Sequence, residues 1–89
     1  MVLTNDKLYK NEYEMETLIE NIEYLNLNVI LTTQKLTIPF CVKYIMNSRY
    51  QTEQDEKDIT VSDIIEKQPN LKKTELIQYL VNPDNKIFN

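Results

Sequence analysis

Glycine, histidine and tryptophan are missing from these 89 residues, and there is a single cysteine. Without glycine, turns that need a positive φ must use asparagine, and glycine-rich phosphate loops are disfavoured. Without histidine, the usual general base at neutral pH is absent. One cysteine cannot form an internal disulfide, which fits a reducing compartment. We therefore predict that the chain is not an enzyme and has no catalytic residues, no cofactor and no metal site.

Membrane-spanning and secretory segments are also lacking. No run approaches the roughly 18 apolar residues that cross a bilayer, and the N-terminal residues carry charges too early for a signal peptide. We therefore expect a cytoplasmic (or nuclear) chain with no membrane partner. The abundance of Asn, Ile and Lys suggests an AT-rich genome, such as that of a virus or mobile element.

The charge balance is acidic. The formal net charge is −4, which disfavours general binding to phosphate backbones and suits a protein partner with a basic surface. A hydrophobic content of 42% is enough for a core. A chain of this length makes one domain, so residues 1–89 are expected to fold together.

Apolar residues recur at helical spacing before residue 26. The positions in this seam are Leu8, Met15, Leu18, Ile19, Ile22 and Leu25. Their spacing predicts one helix from about Asn11, or from Asn5, to Leu25. Asn26 and Asn28 are suited to end this helix and to cap the next element.

Residues 27–46 are compatible with either a helix pair or a β-hairpin. Alternation of apolar residues over 36–44 is typical of a strand. Pro39 would interrupt a central strand, however, and suits the first turn of a helix capped by Thr37. We therefore favour a short helix over 29–34 and a second helix that buries Phe40, Cys41, Tyr44 and Ile45, with an α+β fold containing a hairpin at 27–46 as the alternative.

The C-terminal third has the same outline. Thr60 or Ser62 caps a short helix, residues 68–70 break it, and residues 72–81 form the next helix. A shift of 35 residues aligns the two pairs, with Ile30 on Ile65 and Cys41 on Leu76, which suggests an internal duplication. The sequence thus predicts an all-α small bundle of about five helices with two helix-turn-helix-like pairs. We expect a polar loop at 47–58 and consider 1–8 and 83–89 candidates for frayed tails.

The first predicted helix has an unusual acidic face. Its wheel places tyrosines at the edge of a glutamate stripe, where like charges at i,i+3 and i,i+4 cost a few tenths of a kcal/mol each. Tyrosine is enriched on surfaces that partners bury. The alternative is a solvated acidic face whose tyrosines lie flat on neighbouring elements. The predicted partner-binding residues are Tyr9, Glu12, Tyr13, Glu16, Glu20, Glu23 and Tyr24.

These observations favour a small regulatory or inhibitory protein that acts by protein–protein binding, with a nucleic-acid-handling machine as a candidate target. One alternative is a helix-turn-helix DNA-binding regulator, working as a homodimer so that basic surfaces add. Its DNA-contacting residues would be Lys35, Lys43, Arg49, Lys72, Lys73 and Gln78. Another alternative is a structural subunit of a larger complex, with Phe88 and exposed tyrosines buried in the assembly.

Two further groups of side chains are candidates for chemistry. Cys41 lies among apolar residues and is expected to be buried packing rather than a nucleophile. The acids Glu53, Asp55, Glu56 and Asp58 lack the residue order of a calcium loop. We expect them to form a solvated loop, with loose binding of a divalent cation as the weaker alternative.

Overall fold

The computed structural model describes residues 2–81, and over that range the chain forms helices and turns with no strand. The elements are α1 (Asn5–Lys10), α2 (Met15–Glu20), a 3₁₀ turn (Ile22–Tyr24), α3 (Leu27–Thr33), α4 (Ile38–Phe40, continued by a π-helical turn at Cys41–Ile45), α5 (Gln54–Lys57), α6 (Val61–Lys67) and α7 (Lys73–Val81). The all-α prediction is confirmed. The described residues contain seven α-helices rather than about five.

The hairpin alternative at 27–46 is wrong. Asn26 caps α3, because its Oδ1 accepts the Val29 N–H at 3.1 Å, and Thr37 caps α4, because its Oγ1 accepts the Phe40 N–H at 3.3 Å. Pro39 lies in the first turn of α4, where its missing N–H has no helical partner to lose. Local capping therefore determines the structure of this stretch.

The prediction of one helix over 11–25 is also wrong. The chain leaves α1 at Asn11 in an extended conformation and resumes a helix only at Met15. The side chain of Gln34 explains the break. Its Oε1 accepts the Tyr13 N–H at 2.8 Å, and its Nε2 donates to the Leu8 and Asn11 carbonyls at 3.0 Å each. The side chain thus bonds groups at Asn11 and Tyr13 that a continuous helix would use.

The core runs the length of the described chain. Every helix except α5 contributes buried apolar side chains to this core. The core residues are Leu3, Leu8, Leu18, Ile22, Leu25, Leu27, Ile30, Leu31, Leu36, Phe40, Cys41, Ile45, Ile59, Ile64 and Leu76. Leu3 and Leu8, in the stretch considered for a frayed tail, are each only 1% exposed. The other candidate tail, 83–89, and Phe88 lie outside the described residues. Helix α3 lies at the centre and packs against α1, α5 and α6.

Gln68 repeats the role of Gln34. Both residues directly follow the first helix of a pair, and both are 3% exposed. The Gln68 Oε1 accepts the Leu36 N–H at 2.8 Å, and its Nε2 donates to the carbonyls of Leu31 at 2.8 Å and Gln34 at 2.6 Å. We call Gln34 and Gln68 the bridging glutamines. The partners of the two glutamines correspond one to one. Leu8, Asn11 and Tyr13 stand at and after the end of α1 as Leu31, Gln34 and Leu36 stand at and after the end of α3.

The fold is therefore a stack of three helix pairs, α1–α2, α3–α4 and α6–α7. Gln34 ties the second pair to the first, and Gln68 ties the third pair to the second. The predicted alignment by 35 residues holds for the second helices, where Cys41 and Leu76 are both 0% exposed. The first helices align at 34, because the fully buried Ile30 matches Ile64 and not Ile65. Stacks of this kind bury a core that no single unit could bury alone.

The spacing of the pairs is uneven. Asn11 and Gln34 are 23 residues apart, whereas Gln34 and Gln68 are 34 apart, so the second interval is longer by 11 residues. The extra residues lie in the predicted polar loop, 47–58, which contains α5. We call residues 47–58 the inserted segment. It interrupts the repeat between the second and third pairs.

Candidate functional site

The inserted segment is attached to α3 by Glu56. This glutamate is only 1% exposed, and its Oε2 accepts the Leu27 N–H at 2.8 Å. Its Oε1 accepts the N–H groups of Thr52 at 2.9 Å and Glu53 at 2.7 Å, and the Thr52 hydroxyl at 3.2 Å. The expectation that Glu56 is a solvated loop acid is wrong, because four donors inside the protein surround its carboxylate.

Asp55 fixes the outer side of the same segment. Its Oδ2 accepts hydrogen bonds from the side-chain amides of Asn28 at 2.9 Å and Asn26 at 3.4 Å. The Asn28 hydrogen bond is the main cause that holds the pKa of Asp55 below its usual value, with a smaller contribution from Asn26. Asp55 is exposed and therefore presents a fixed negative charge at the surface at neutral pH.

Two adjoining depressions separate the inserted segment from α1 and the 3₁₀ turn. Their volumes are about 460 and 420 Å³, and they share Asn5, Asn26 and Asp55. We call them together the acidic groove. Its outer lining includes Tyr9, Glu23, Tyr24, Glu53 and Asp55, and neither depression is lined by a lysine or arginine among the described residues. Tyr9 and Tyr24 are 65% and 67% exposed.

The predicted partner-binding set is divided by the break in the first helix. Tyr9, Glu23 and Tyr24 line the acidic groove. Glu12 and Glu16 are exposed away from the groove lining, and Tyr13 is half-buried against the core. The continuous glutamate stripe does not exist, because it required an unbroken helix.

Glu53 and Asp55 belong to the groove although the sequence predicted only a solvated loop there. A local pattern could not reveal this, because the two acids meet Tyr9 and Tyr24 through tertiary packing. The hydrogen bonds of the bridging glutamines identify the segment as an insertion, because the interval from Gln34 to Gln68 is 11 residues longer than the interval from Asn11 to Gln34. In helical repeats, insertions commonly lie on one face, often the binding face.

A separate depression of about 330 Å³ adjoins the acidic groove and shares Glu23 and Tyr24 with it. We call it the tyrosine-lined depression. Its lining comprises Ile19, Glu20, Ile22, Glu23, Tyr24, Tyr44, Arg49 and Tyr50. The rings of Tyr44 and Tyr50 are 5.1 Å apart, and the Arg49 guanidinium carbon lies 5.8 Å from the Tyr50 ring centre.

The alternative DNA-contacting residues are all exposed. They lie in the turn after α3 (Lys35), the π-helical turn (Lys43), the inserted segment (Arg49), the turn before α7 (Lys72) and α7 itself (Lys73 and Gln78). Arg49 lines a depression together with glutamates. The helix-turn-helix outline of α6–α7 follows from the repeated pair architecture, and DNA binding stays a prediction.

Cys41 is 0% exposed, and burial raises its pKa to about 12. Because the thiolate is the reactive form, the native thiol should be nearly inert at pH 8. We expect iodoacetamide to label Cys41 orders of magnitude more slowly in buffer than in urea, as followed by mass spectrometry. Equal labelling rates in the two solutions would contradict the buried position.

No group of three or more His, Cys, Asp or Glu side chains within residues 2–81 is arranged to hold a metal ion. None of the helices in that range is long and apolar enough to cross a membrane. Comparison with protein-family models, with curated proteins and with solved structures finds no match to the chain.

Proposed function

We propose that this chain is a regulatory protein that binds another protein by holding a basic segment of it in the acidic groove. The observation that carries the proposal is the lining of the groove. Its charged side chains are carboxylates, and two largely exposed tyrosines stand beside them. Carboxylates complement lysine and arginine, and tyrosine faces attract cations and pack against their aliphatic stems.

The repeat architecture supports this proposal. A stack of helix pairs is a rigid scaffold, and the inserted segment is the one departure from its spacing within the described residues. Glu56 and Asp55 hold this segment against α3 through hydrogen bonds. A binding surface that is already ordered loses little entropy when a ligand arrives, which favours affinity.

Binding of this kind would make the protein an inhibitor wherever the captured segment has another task. Many basic segments hold nucleic acid through their lysines and arginines. A partner whose basic segment lies in the acidic groove cannot use that segment on phosphates. The regulatory effect is therefore competition for a basic surface.

The test is titration of a labelled peptide of alternating arginine and serine, followed by fluorescence anisotropy at low salt. The groove variant carries Glu53→Gln and Asp55→Asn, and the matched control carries Glu12→Gln and Glu16→Gln, which removes the same charge elsewhere. We expect the groove variant to bind about tenfold more weakly than the control, since two close charge pairs are lost.

As a control, the urea concentration at which each double variant is half unfolded is measured, and both values should match wild type closely enough to show that the fold is retained. Equal weakening in the two would mean that only net charge matters, and the acidic groove would then not be the binding site. A peptide of alternating glutamate and serine should not bind. Duplex DNA in the same titration separates the alternative: tight, salt-sensitive binding of DNA would favour the helix-turn-helix hypothesis.

A further inference from the structure

Arg49 occupies an unusual position in the tyrosine-lined depression. Its guanidinium lies over the face of Tyr50, and Glu20 and Glu23 line the same depression. Yet Arg49 has no ion pair within 4.0 Å among residues 2–81. Its backbone N–H donates to the Asn47 Oδ1 at 3.0 Å, which fixes the backbone while the side chain stays exposed.

The tyrosine-lined depression suits a planar cation. Tyr44 and Tyr50 pack on each other with ring centres 5.1 Å apart and planes inclined by 52°, so together they form one aromatic wall. Tyr24 is 67% exposed, and the two glutamates supply negative charge. Arginine stacks on aromatic faces better than lysine does, because its guanidinium is flat and weakly hydrated. The contact between Arg49 and Tyr50 shows that a guanidinium fits against this wall.

We propose that Arg49 is an internal competitor for an arginine of the bound segment. The inference rests on the proposed function, since it concerns the same ligand. The depression is continuous with the acidic groove through Glu23 and Tyr24. A basic segment in the groove therefore brings one of its side chains to the depression, where the arginine displaces Arg49 from the Tyr50 face.

Two costs of Arg49 to binding follow from this arrangement. Its charge repels the ligand, and its guanidinium covers an aromatic face that the ligand's arginine would use. Removal of the side chain should therefore raise affinity, which is the opposite of the usual effect of truncating a residue in a binding site. Arginine-bearing ligands should gain more than lysine-bearing ligands, because only a guanidinium replaces the lost contact in kind.

The experiment measures the affinity of two labelled peptides, alternating arginine–serine and alternating lysine–serine, for the full chain. The variant is Arg49→Ala, and the matched control is Lys43→Ala, which removes one exposed positive charge outside the depression. We expect Arg49→Ala to bind the arginine peptide about two- to fivefold more tightly than the control does. The lysine peptide should gain less, and the gain should be absent in a Tyr50→Leu background, which lacks the aromatic face that Arg49 covers.

Any result other than this selective gain in affinity overturns the inference, and each such result has a distinct meaning. Equal gains in Arg49→Ala and Lys43→Ala would mean that only long-range charge is involved. A loss of affinity in Arg49→Ala would make Arg49 a contact residue and not a competitor. If the groove variant weakens binding while Arg49→Ala does not improve it, the inference fails and the proposed function stands. If neither peptide binds any variant, both fail.

Discussion

Replacement of Glu56 by alanine is expected to lower the free energy of unfolding by about 3–5 kcal/mol. The Leu27 N–H, on a residue that is 0% exposed, would lose its acceptor inside the protein. The N–H groups of Thr52 and Glu53 would also lose their acceptor, the Glu56 Oε1, but they lie on the side of the segment that water reaches more easily. Hydrogen bonds to a charged group are worth more than neutral ones, and small domains have only about 5–15 kcal/mol in total.

The measurement is urea unfolding followed by far-ultraviolet circular dichroism, with the midpoint compared at constant slope. Glu56→Gln keeps the size of the side chain but turns an amide N–H₂ toward backbone donors, so it should lose a large part of the same stability. Glu16→Gln is the matched control, since Glu16 is exposed on α2, and its midpoint should hardly move. An unchanged midpoint in Glu56→Ala would mean that the inserted segment is not held by this carboxylate.

The same variant connects stability to the proposed site. Glu53 and Asp55 lie within three residues of Glu56 along the chain, and they line the acidic groove. Loss of the Glu56 hydrogen bonds would release the inserted segment from α3 and move both acids. Peptide affinity should therefore fall in Glu56→Gln even under conditions where the chain remains folded.

Local signals in the sequence were sufficient to predict the helix pairs α3–α4 and α6–α7. Asn26, Thr37 and Thr60 cap helices as predicted, because an N-cap needs only a side-chain oxygen and an N–H three residues away. Pro39 excluded the strand interpretation for an equally local reason. The all-α class and the repeated pair outline follow from interactions within a few residues.

The candidate site could not be predicted in the same way. Apolar spacing before residue 26 suits one helix, and the break at 11–14 depends on Gln34, 23 residues from Asn11 along the chain. The continuous glutamate stripe drawn from the helical wheel of that segment therefore does not form, although Leu18, Ile22 and Leu25 are buried as their spacing predicted. Glu56 and Leu27 are 29 residues apart, and no periodicity encodes such a contact. Long-range hydrogen bonds made by single polar side chains decide where the acidic groove lies.

Gln68 should be the most sensitive of these side chains. All three of its long-range hydrogen bonds are buried, whereas two of the three corresponding bonds of Gln34 are only partly buried. Gln68→Ala leaves the Leu36 N–H and two carbonyls without partners and creates a cavity between the second and third helix pairs. We expect a loss of about 3–5 kcal/mol, more than for Gln34→Ala, because water can reach the partners of Gln34 more easily.

The variant Gln68→Glu distinguishes hydrogen bonding from simple packing, since the two side chains have nearly the same shape. At pH 7 a carboxylate would still accept from Leu36 but would face the carbonyls of Leu31 and Gln34, so this variant should be at least as unstable as Gln68→Ala. At acid pH the introduced carboxylate is protonated and regains one hydrogen-bond donor. The difference in free energy of unfolding between this variant and wild type, both measured at that pH, should therefore shrink. The exposed Gln78 provides the control Gln78→Glu, which should show neither effect. If Gln68→Glu instead unfolds at the wild-type urea concentration at pH 7, the helix pairs are held together by apolar packing alone, and the bridging glutamines do not determine their stacking.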